Sequence, residues 1–213
     1  MIYFDNSATT AVLPRAAETA KSYMTGEYFN PAAAYSAAVS LERAVSSARA
    51  SLAEELSAEP SEVIFTSCGT ESNNTALFGS LRALPANRRS GRVIISATEH
   101  PSVYEAAMDL REAGWDVRLA PVDITGRAVL SELEALITPD TRLISVMHVN
   151  NESGAVNDIS AIYALAKKKA PACLIHSDGV QAFMKLPPVS CDMYSVSGHK
   201  LHAPKGVGAL FIK

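Results

Sequence analysis

Short apolar stretches rich in β-branched residues alternate along this chain with segments whose apolar residues recur every three or four positions. The first kind predicts strands, at residues 63–65, 92–96, 117–122, 142–149, 173–177, 193–196 and 207–212. The second kind predicts helices, at residues 36–56, 71–84, 102–113, 131–137 and 159–169. This alternation predicts an α/β fold with a mostly parallel seven-stranded sheet and helices on both faces. The loop at 202–206 leaves no room for a crossover helix, so we expect the last strand to be antiparallel.

The composition is that of a globular protein with one sizeable core. Of 213 residues, 48% are hydrophobic and 19% charged, which argues against disorder. The formal net charge of -3 gives no field that would attract nucleic acid or an anionic membrane. No apolar run reaches the roughly 18 residues that span a bilayer, and the N-terminus does not resemble a signal peptide. We therefore expect a cytoplasmic protein with no nucleic-acid or membrane partner.

The cysteines argue against a metal site or a disulfide framework. Cys68, Cys173 and Cys191 are widely separated and form no C-x-x-C pair. Cys173 lies in an apolar stretch and Cys191 directly precedes another, so we expect both to be small buried hydrophobic residues. We predict no metal ligands in this chain.

Polar residues follow five of the predicted strands, at the point where each strand ends. Because ligands of open α/β sheets bind outside the carboxyl ends of the strands, these residues are candidates for one site. The turn after the first strand, with Gly69 and Thr70, reads as an anion site at a helix start. The other strand ends supply His100, Asn150 and Asn151, Asp178 and Gln181, and finally Ser197, His199 and Lys200.

This set of groups suits an aldehyde cofactor that carries a pyridine ring and a phosphate. Partial burial beside another cation lowers the pKa of a lysine, so Lys200 can supply the neutral amine that binds an aldehyde. A carboxylate such as Asp178 keeps a ring nitrogen protonated, and an amide can bond the ring hydroxyl. Each residue alone also has an ordinary structural interpretation as a cap or turn residue. Their joint placement favours the functional one.

Four segments together resemble the cysteine desulfurases, class V members of the fold-type I pyridoxal-phosphate enzymes. The segments are Tyr3–Thr10, Phe65–Asn74, Val146–Glu152, and Ser195–Lys200 with the following Pro204-Lys205-Gly206. The resemblance implies pyridoxal 5'-phosphate as cofactor, with Lys200 as Schiff-base lysine and remover of the substrate α-proton. It implies that Asp178 pairs with the ring nitrogen and His100 stacks on the ring. It places Asn151 and Gln181 near the ring hydroxyl, and Gly69, Thr70, Ser197 and His199 around the phosphate.

The same resemblance implies an activity and partners. Family members convert L-cysteine, or a similar amino acid, to L-alanine and transfer the sulfur as a persulfide, as in iron-sulfur cluster assembly. They are homodimers that serve a sulfur-acceptor protein. We predict an N-terminal arm at residues 1–14 and a cofactor-binding large domain at residues 15–213. The family's smaller C-terminal domain, which carries the substrate-binding arginine and the persulfide cysteine, is expected to lie outside this sequence.

Two alternatives stay open beside this interpretation. The chain could be part of another class V aminotransferase or lyase, or a non-catalytic pyridoxal-phosphate-binding fragment or partner subunit. The sequence also departs from the family pattern at four positions, namely Tyr35, Cys68, Gly179 and Ala203. Glycine is usual where Cys68 and Ala203 stand, alanine where Gly179 stands, and histidine where Tyr35 stands. We expect a packing role for Cys68.

Overall fold

In a computed structural model, which describes residues 2–213, the predicted strands form one sheet. Residues 2–213 contain seven strands: β1 Val63–Thr66, β2 Arg92–Ser96, β3 Asp116–Ala120, β4 Thr141–Ser145, β5 Leu174–Asp178, β6 Met193–Ser197 and β7 Gly208–Ile212. Their order across the sheet is β1-β7-β6-β5-β4-β2-β3. Only β7 runs antiparallel to its neighbours β1 and β6 within this range. The predicted mixed sheet is therefore confirmed, although β4 ends four residues before the predicted boundary.

The helices match the predicted segments with one addition. They are α1 Pro14–Thr25, α2 Ser36–Leu56, α3 Gly69–Asn74, α4 Ser80–Ala83, α5 Pro101–Glu112, α6 Leu130–Leu136 and α7 Ile159–Lys169. A π-helical turn at Thr75–Gly79 joins α3 to α4, so one continuous helical segment stands where 71–84 was predicted. Helix α1 was not predicted, because the prediction rested on apolar periodicity and no α1 residue is buried against the rest of residues 2–213. Within α2, Val45 and Ala48 of the predicted stripe are exposed, while Ala38 and Ala53 are buried.

Two apolar clusters cover the two faces of the sheet. Successive residues of β2 alternate between them, since Ile94 packs with one cluster and Val93 and Ile95 with the other. Residues of α2, α6 and α7 belong to the first cluster, and residues of the α3–α4 segment and α5 to the second. The prediction of helices on both faces is thus confirmed. None of the helices in residues 2–213 combines the length and the apolar character needed to cross a membrane.

Gly208 brings the ends of β1 and β6 together across the strand between them. A Cβ at Gly208 would lie 2.8 Å from both Thr66 Oγ1 and the Val196 carbonyl oxygen. The absence of a side chain therefore allows the turn after β1 to approach β6 closely. One result is that Gly69 lies against Ser197, with an added Cβ only 3.4 Å from the serine Cβ.

Glycine is required at position 179, directly after β5, because the ring of Tyr194 leaves no room for a Cβ there. A Cβ at Gly179 would lie 2.0 Å from ring carbons of Tyr194, whose hydroxyl bonds His148 Nδ1 at 2.9 Å in a buried position. Overpacking of this kind costs about 1–3 kcal/mol, sometimes more. We expect Gly179→Ala to lower the free energy of unfolding by at least this amount, measured by urea denaturation.

Two further variants separate this clash from general effects of an added methyl group. Gly79→Ala is the matched control, because its Cβ would meet nothing closer than Thr75 Cγ2 at 3.8 Å, and its stability should equal that of wild type or exceed it by up to about 1 kcal/mol, since alanine is the better helix former. In a Tyr194→Leu background, Gly179→Ala should cost much less than it does alone. Equal costs in the two backgrounds would show that the tyrosine ring is not the cause.

Candidate functional site

A cavity of about 500 Å³ lies at the carboxyl ends of the parallel strands. All nine residues predicted for the cofactor site line it: Gly69, Thr70, His100, Asn151, Asp178, Gln181, Ser197, His199 and Lys200. The sheet order explains this convergence, because β5 and β6 are neighbours at its centre and β7 turns back at the same edge. The roles of these residues toward a cofactor stay predictions.

The turn after β1 and the end of β6 form a polar pocket within the cavity. Ser197 is buried, and its Oγ has no hydrogen-bond partner among residues 2–213. Gly69 faces it at the start of α3, and an added Cβ there would meet Val180 Cγ2 at 2.7 Å. A buried hydroxyl without a partner is costly unless a ligand satisfies it. The pocket therefore suits a ligand with hydrogen-bonding oxygens, such as a phosphate.

Asp178 ends β5 as a buried carboxyl group held from two sides. Its Oδ1 accepts a hydrogen bond from the Val180 amide at 2.9 Å, and its Oδ2 accepts one from Asn73 Nδ2 at 2.7 Å. Burial raises the pKa of Asp178, and these two bonds together with the charges of His100 and Lys200 oppose the increase. A cationic group placed in the cavity would favour the ionised form.

Lys200 follows β6 in the short 3₁₀ turn Gly198–Lys200. Its Nζ donates hydrogen bonds to the carbonyl oxygens of Ser7 and Ala8, the latter at 2.8 Å. Burial is the main cause that lowers the pKa of Lys200, and the positive charge of Lys185 adds to it. The lysine therefore reaches its neutral, nucleophilic form more readily than an exposed lysine does.

Residues 7–10 cover this part of the cavity. Thr10 donates from both its amide and its hydroxyl to the His199 carbonyl oxygen, each at 2.9 Å. Gln181 Nε2 donates to the Ser7 carbonyl oxygen at 2.8 Å. The contribution of Ser7 and Ala8 is made by backbone atoms, so no residue type in the sequence indicated it.

The two adjacent asparagines after β4 have different environments. Asn150 is buried, and its Oδ1 accepts hydrogen bonds from the Glu152 and Ser153 amides, each at 2.9 Å. Its Nδ2 donates to the Thr98 carbonyl oxygen at 3.0 Å. These bonds commit Asn150 to shaping the loop, whereas Asn151 lines the cavity.

Sequence reasoning missed two polar residues that line the same cavity. Asn73 is buried on α3 and contacts Asp178, and Ser102 lies in the first turn of α5 beside His100. His100 caps α5, because its Nδ1 accepts a hydrogen bond from the Ser102 amide at 3.1 Å. Asn73 lies one turn along the helix from Thr70, and this spacing is the signal that could have identified it.

The predicted burial of two of the three cysteines is confirmed. Cys173 and Cys191 are buried, and burial raises the pKa of each to about 12. Cys68 is half-buried and lines the cavity beside Gly69. The backbone of Glu71 is the main cause that lowers the pKa of Cys68.

Glu99, next to His100, is a buried carboxyl group that ties β2 to the segment after β4. Its Oε1 accepts hydrogen bonds from Ser96 Oγ at 2.6 Å and from the Met147 amide at 2.7 Å. Its Oε2 has no partner among residues 2–213. Burial is the main cause that raises the pKa of Glu99 to about 8.

This raised pKa predicts a pH-dependent stability that Glu99→Gln removes. Between the ordinary pKa of 4.5 and about 8, the folded protein binds the Glu99 proton and the unfolded chain does not. The contribution of Glu99 to the free energy of unfolding is therefore full below 4.5 and falls as the pH rises through about 8. Urea denaturation across this range should show a shallower decline for Glu99→Gln than for wild type. The same decline in both proteins would contradict the assignment of the pH dependence to Glu99. Glu152→Gln, at an exposed position on the cavity, is the control and should retain the wild-type decline.

Comparisons with known proteins agree with the predicted family. The model of the aminotransferase class-V family matches residues 2–213. A cysteine desulfurase of Nostoc sp. is 40% identical over 217 residues, which cover 100% of this chain and 53% of that protein. Among solved structures, a NifS-like protein superposes with a TM-score of 0.95 at 36% identity over 100% of this chain and 59% of its own. SspA in complex with cysteine gives a TM-score of 0.92 at 36% identity, with 100% of this chain and 61% of its own covered. The chain spans about half the length of the curated relatives that it matches.

Proposed function

Because the chain belongs to the aminotransferase class-V family, we propose that it is the pyridoxal-phosphate-binding part of a cysteine desulfurase that converts L-cysteine to L-alanine with persulfide transfer. The observation that carries the proposal is the single cavity in which Lys200, Asp178 and the Gly69–Ser197 pocket meet. The likeness to the NifS-like structure establishes the fold-type I architecture for residues 2–213. The relation to SspA, solved in complex with cysteine, supports L-cysteine as the substrate.

The residues present fit pyridoxal 5'-phosphate at each of its polar ends. Ser197 Oγ, which lacks a partner among residues 2–213, would bind the phosphate together with Gly69, Thr70 and His199. Asp178 would pair with the ring nitrogen, and Lys200 would hold the aldehyde carbon. When bound, this cofactor supplies an electron-accepting ring that stabilises negative charge on the α-carbon of an amino acid.

The protein's own groups then have distinct tasks. Lys200 must leave the carbonyl oxygens of Ser7 and Ala8 before its amine can react, and its lowered pKa favours the neutral form that accepts a proton at Nζ. Burial raises the pKa of Asp178, and the Val180 and Asn73 hydrogen bonds favour its charged form against that effect. His100 would lie over the ring, with Asn151 and Gln181 bonding to its hydroxyl side.

The sulfur-handling half of the reaction is also part of the proposal. Cys173 and Cys191 are unsuited to accept sulfur, since both are buried and their thiols resist ionisation. We place the N-terminal arm at residues 1–14 and the large domain at residues 15–213. A homodimer that delivers sulfur to an acceptor protein, as in iron-sulfur cluster assembly, completes the proposed function.

Product analysis of the enzyme in which this chain is completed by a small domain, supplied with pyridoxal 5'-phosphate and L-cysteine, tests the activity. We expect alanine and sulfide in equal amounts when a thiol reductant is present. A keto acid in place of alanine would overturn the proposal in favour of an aminotransferase. Retention of cofactor without turnover of any amino acid would overturn it in favour of a non-catalytic binding subunit.

A further inference from the structure

A series of hydrogen bonds, buried at Asp178 and half-buried at His100, connects these two residues through two others that do not belong to the predicted cofactor site. Asn73 Nδ2 lies 2.7 Å from Asp178 Oδ2 and 2.8 Å from Ser102 Oγ. Ser102 Oγ in turn lies 2.8 Å from His100 Nδ1. Asn73 is only 1% exposed and Asp178 is buried, so water does not compete for the contact between them, whereas Ser102 and His100 are half-buried.

The hydrogen bond from Asn73 Nδ2 to Asp178 Oδ2 fixes the orientation of the Asn73 amide. An ionised carboxylate only accepts hydrogen bonds, so the amide must present its NH₂ group to Asp178 Oδ2. The same NH₂ group has a second hydrogen, which it donates to Ser102 Oγ. Asn73 Oδ1 has no partner among residues 2–213, and the reversed orientation would instead place it against two oxygens. The orientation is therefore set by Asp178 and not by a bond to Oδ1.

The direction of these hydrogen bonds determines where His100 carries its proton. Ser102 Oγ accepts from Asn73, so the serine hydroxyl hydrogen is free to point at His100 Nδ1. The Ser102 amide also donates to Nδ1, at 3.1 Å. A nitrogen that accepts two hydrogen bonds carries no proton, so the neutral ring is protonated at Nε2.

We propose that Asn73 and Ser102 are positioning residues that transmit the charge state of Asp178 to His100 and hold the imidazole as its Nε2–H tautomer. This inference rests on the proposed function, because it explains how the ring-nitrogen partner and the ring-stacking histidine are set together. The residue that would stack on the ring is thereby oriented by the residue that would pair with the ring nitrogen.

Asp178→Asn should reverse the donor-to-acceptor direction of these hydrogen bonds without removing any heavy atom. The Val180 amide donates to Asp178 Oδ1, so the new side chain must keep its oxygen there and turn its NH₂ group toward Asn73. Asn73 must then reverse and accept with Oδ1. Ser102 then donates to Asn73, and His100 Nδ1 loses the hydroxyl donor that held it unprotonated.

Nitrogen-15 NMR of the histidine rings, recorded on the protein without cofactor, tests the proposal. We expect the Nε2–H tautomer of His100 in wild type, and a rise of about fivefold in the ratio of Nδ1–H to Nε2–H tautomer in Ser102→Ala and in Asp178→Asn, the effect of one hydrogen bond. Ser102→Thr, which keeps the hydroxyl, should retain the wild-type ratio.

Asn74→Ala is the matched control. Asn74 is the next residue of α3, and its Nδ2 donates to the Ser102 carbonyl oxygen. Its loss therefore weakens the contact between α3 and α5 without changing the hydrogen bonds that link Asp178, Asn73, Ser102 and His100. It should leave the tautomer ratio unchanged. An unchanged ratio in both Ser102→Ala and Asp178→Asn would overturn the inference. Because the measurement is made without cofactor, that result would not affect the proposed function. If the variants show the tautomer shift but the protein fails to bind cofactor, the proposed function is refuted and the inference about the tautomer stands.

Discussion

Lys200→Ala should abolish covalent capture of pyridoxal 5'-phosphate completely. The Lys200 amine is the only amine lining the cavity among residues 2–213, and its pKa is lowered by burial and by Lys185. After incubation with cofactor and reduction with borohydride, mass spectrometry of peptides should find the added mass on Lys200 in wild type and on no residue of the variant.

Lys205→Ala is the control for this experiment. Lys205 follows in the same loop and is exposed, so it tests whether any nearby lysine reacts. We expect its variant to capture cofactor on Lys200 as wild type does. Labelling that is spread over several surface lysines, or that persists in Lys200→Ala, would contradict the role given to Lys200.

Asp178→Asn should weaken cofactor binding by about 10- to 100-fold, the effect of losing one hydrogen bond to a charged group. The stability of the protein without cofactor should not fall, because burial raises the pKa of the carboxyl and the asparagine side chain of the variant can keep the Val180 hydrogen bond. Fluorescence titration with cofactor and urea denaturation without it measure the two quantities separately.

Asp192→Asn is the matched control at the opposite end of the sheet. Asp192 Oδ2 accepts hydrogen bonds from Lys167 Nζ at 2.8 Å and from the Ile175 amide at 2.7 Å. Its replacement should lower the free energy of unfolding by about 1–3 kcal/mol and leave cofactor affinity unchanged. If both variants altered affinity equally, Asp178 would have no special relation to the ring nitrogen.

The sheet and most helices could be predicted because apolar residues recur with the period of each element, even where, as at Val45 and Ala48 of α2, the residues are exposed. Both boundaries of α2 and α7 follow from their patterns, and each predicted strand is found. Helix α1 was not predicted because none of its residues is buried in the described range. Strand β4 was predicted too long because residues 146–149 remain mostly buried after they leave the sheet, and burial alone does not distinguish the two states.

The candidate site was predictable where a residue's position in the chain places it at a strand end. Lys200 and Asp178 each lie at the end of a strand or just after it, and the rule for parallel sheets brings them to one edge. Asn73 and Ser102 lie on helices, where polar residues usually face solvent, so their buried contacts depend on how α3 and α5 pack. The arm contacts of Lys200 use backbone carbonyl groups, which every residue possesses.

A crystal structure of the protein with pyridoxal 5'-phosphate tests most directly the claim that five strand ends build one cofactor site. We predict continuous density from Lys200 Nζ to the cofactor, the ring nitrogen beside Asp178, and the phosphate within hydrogen-bond distance of Ser197 Oγ and the Gly69 turn. Cofactor bound outside this cavity, or with its phosphate away from Ser197, would contradict the account.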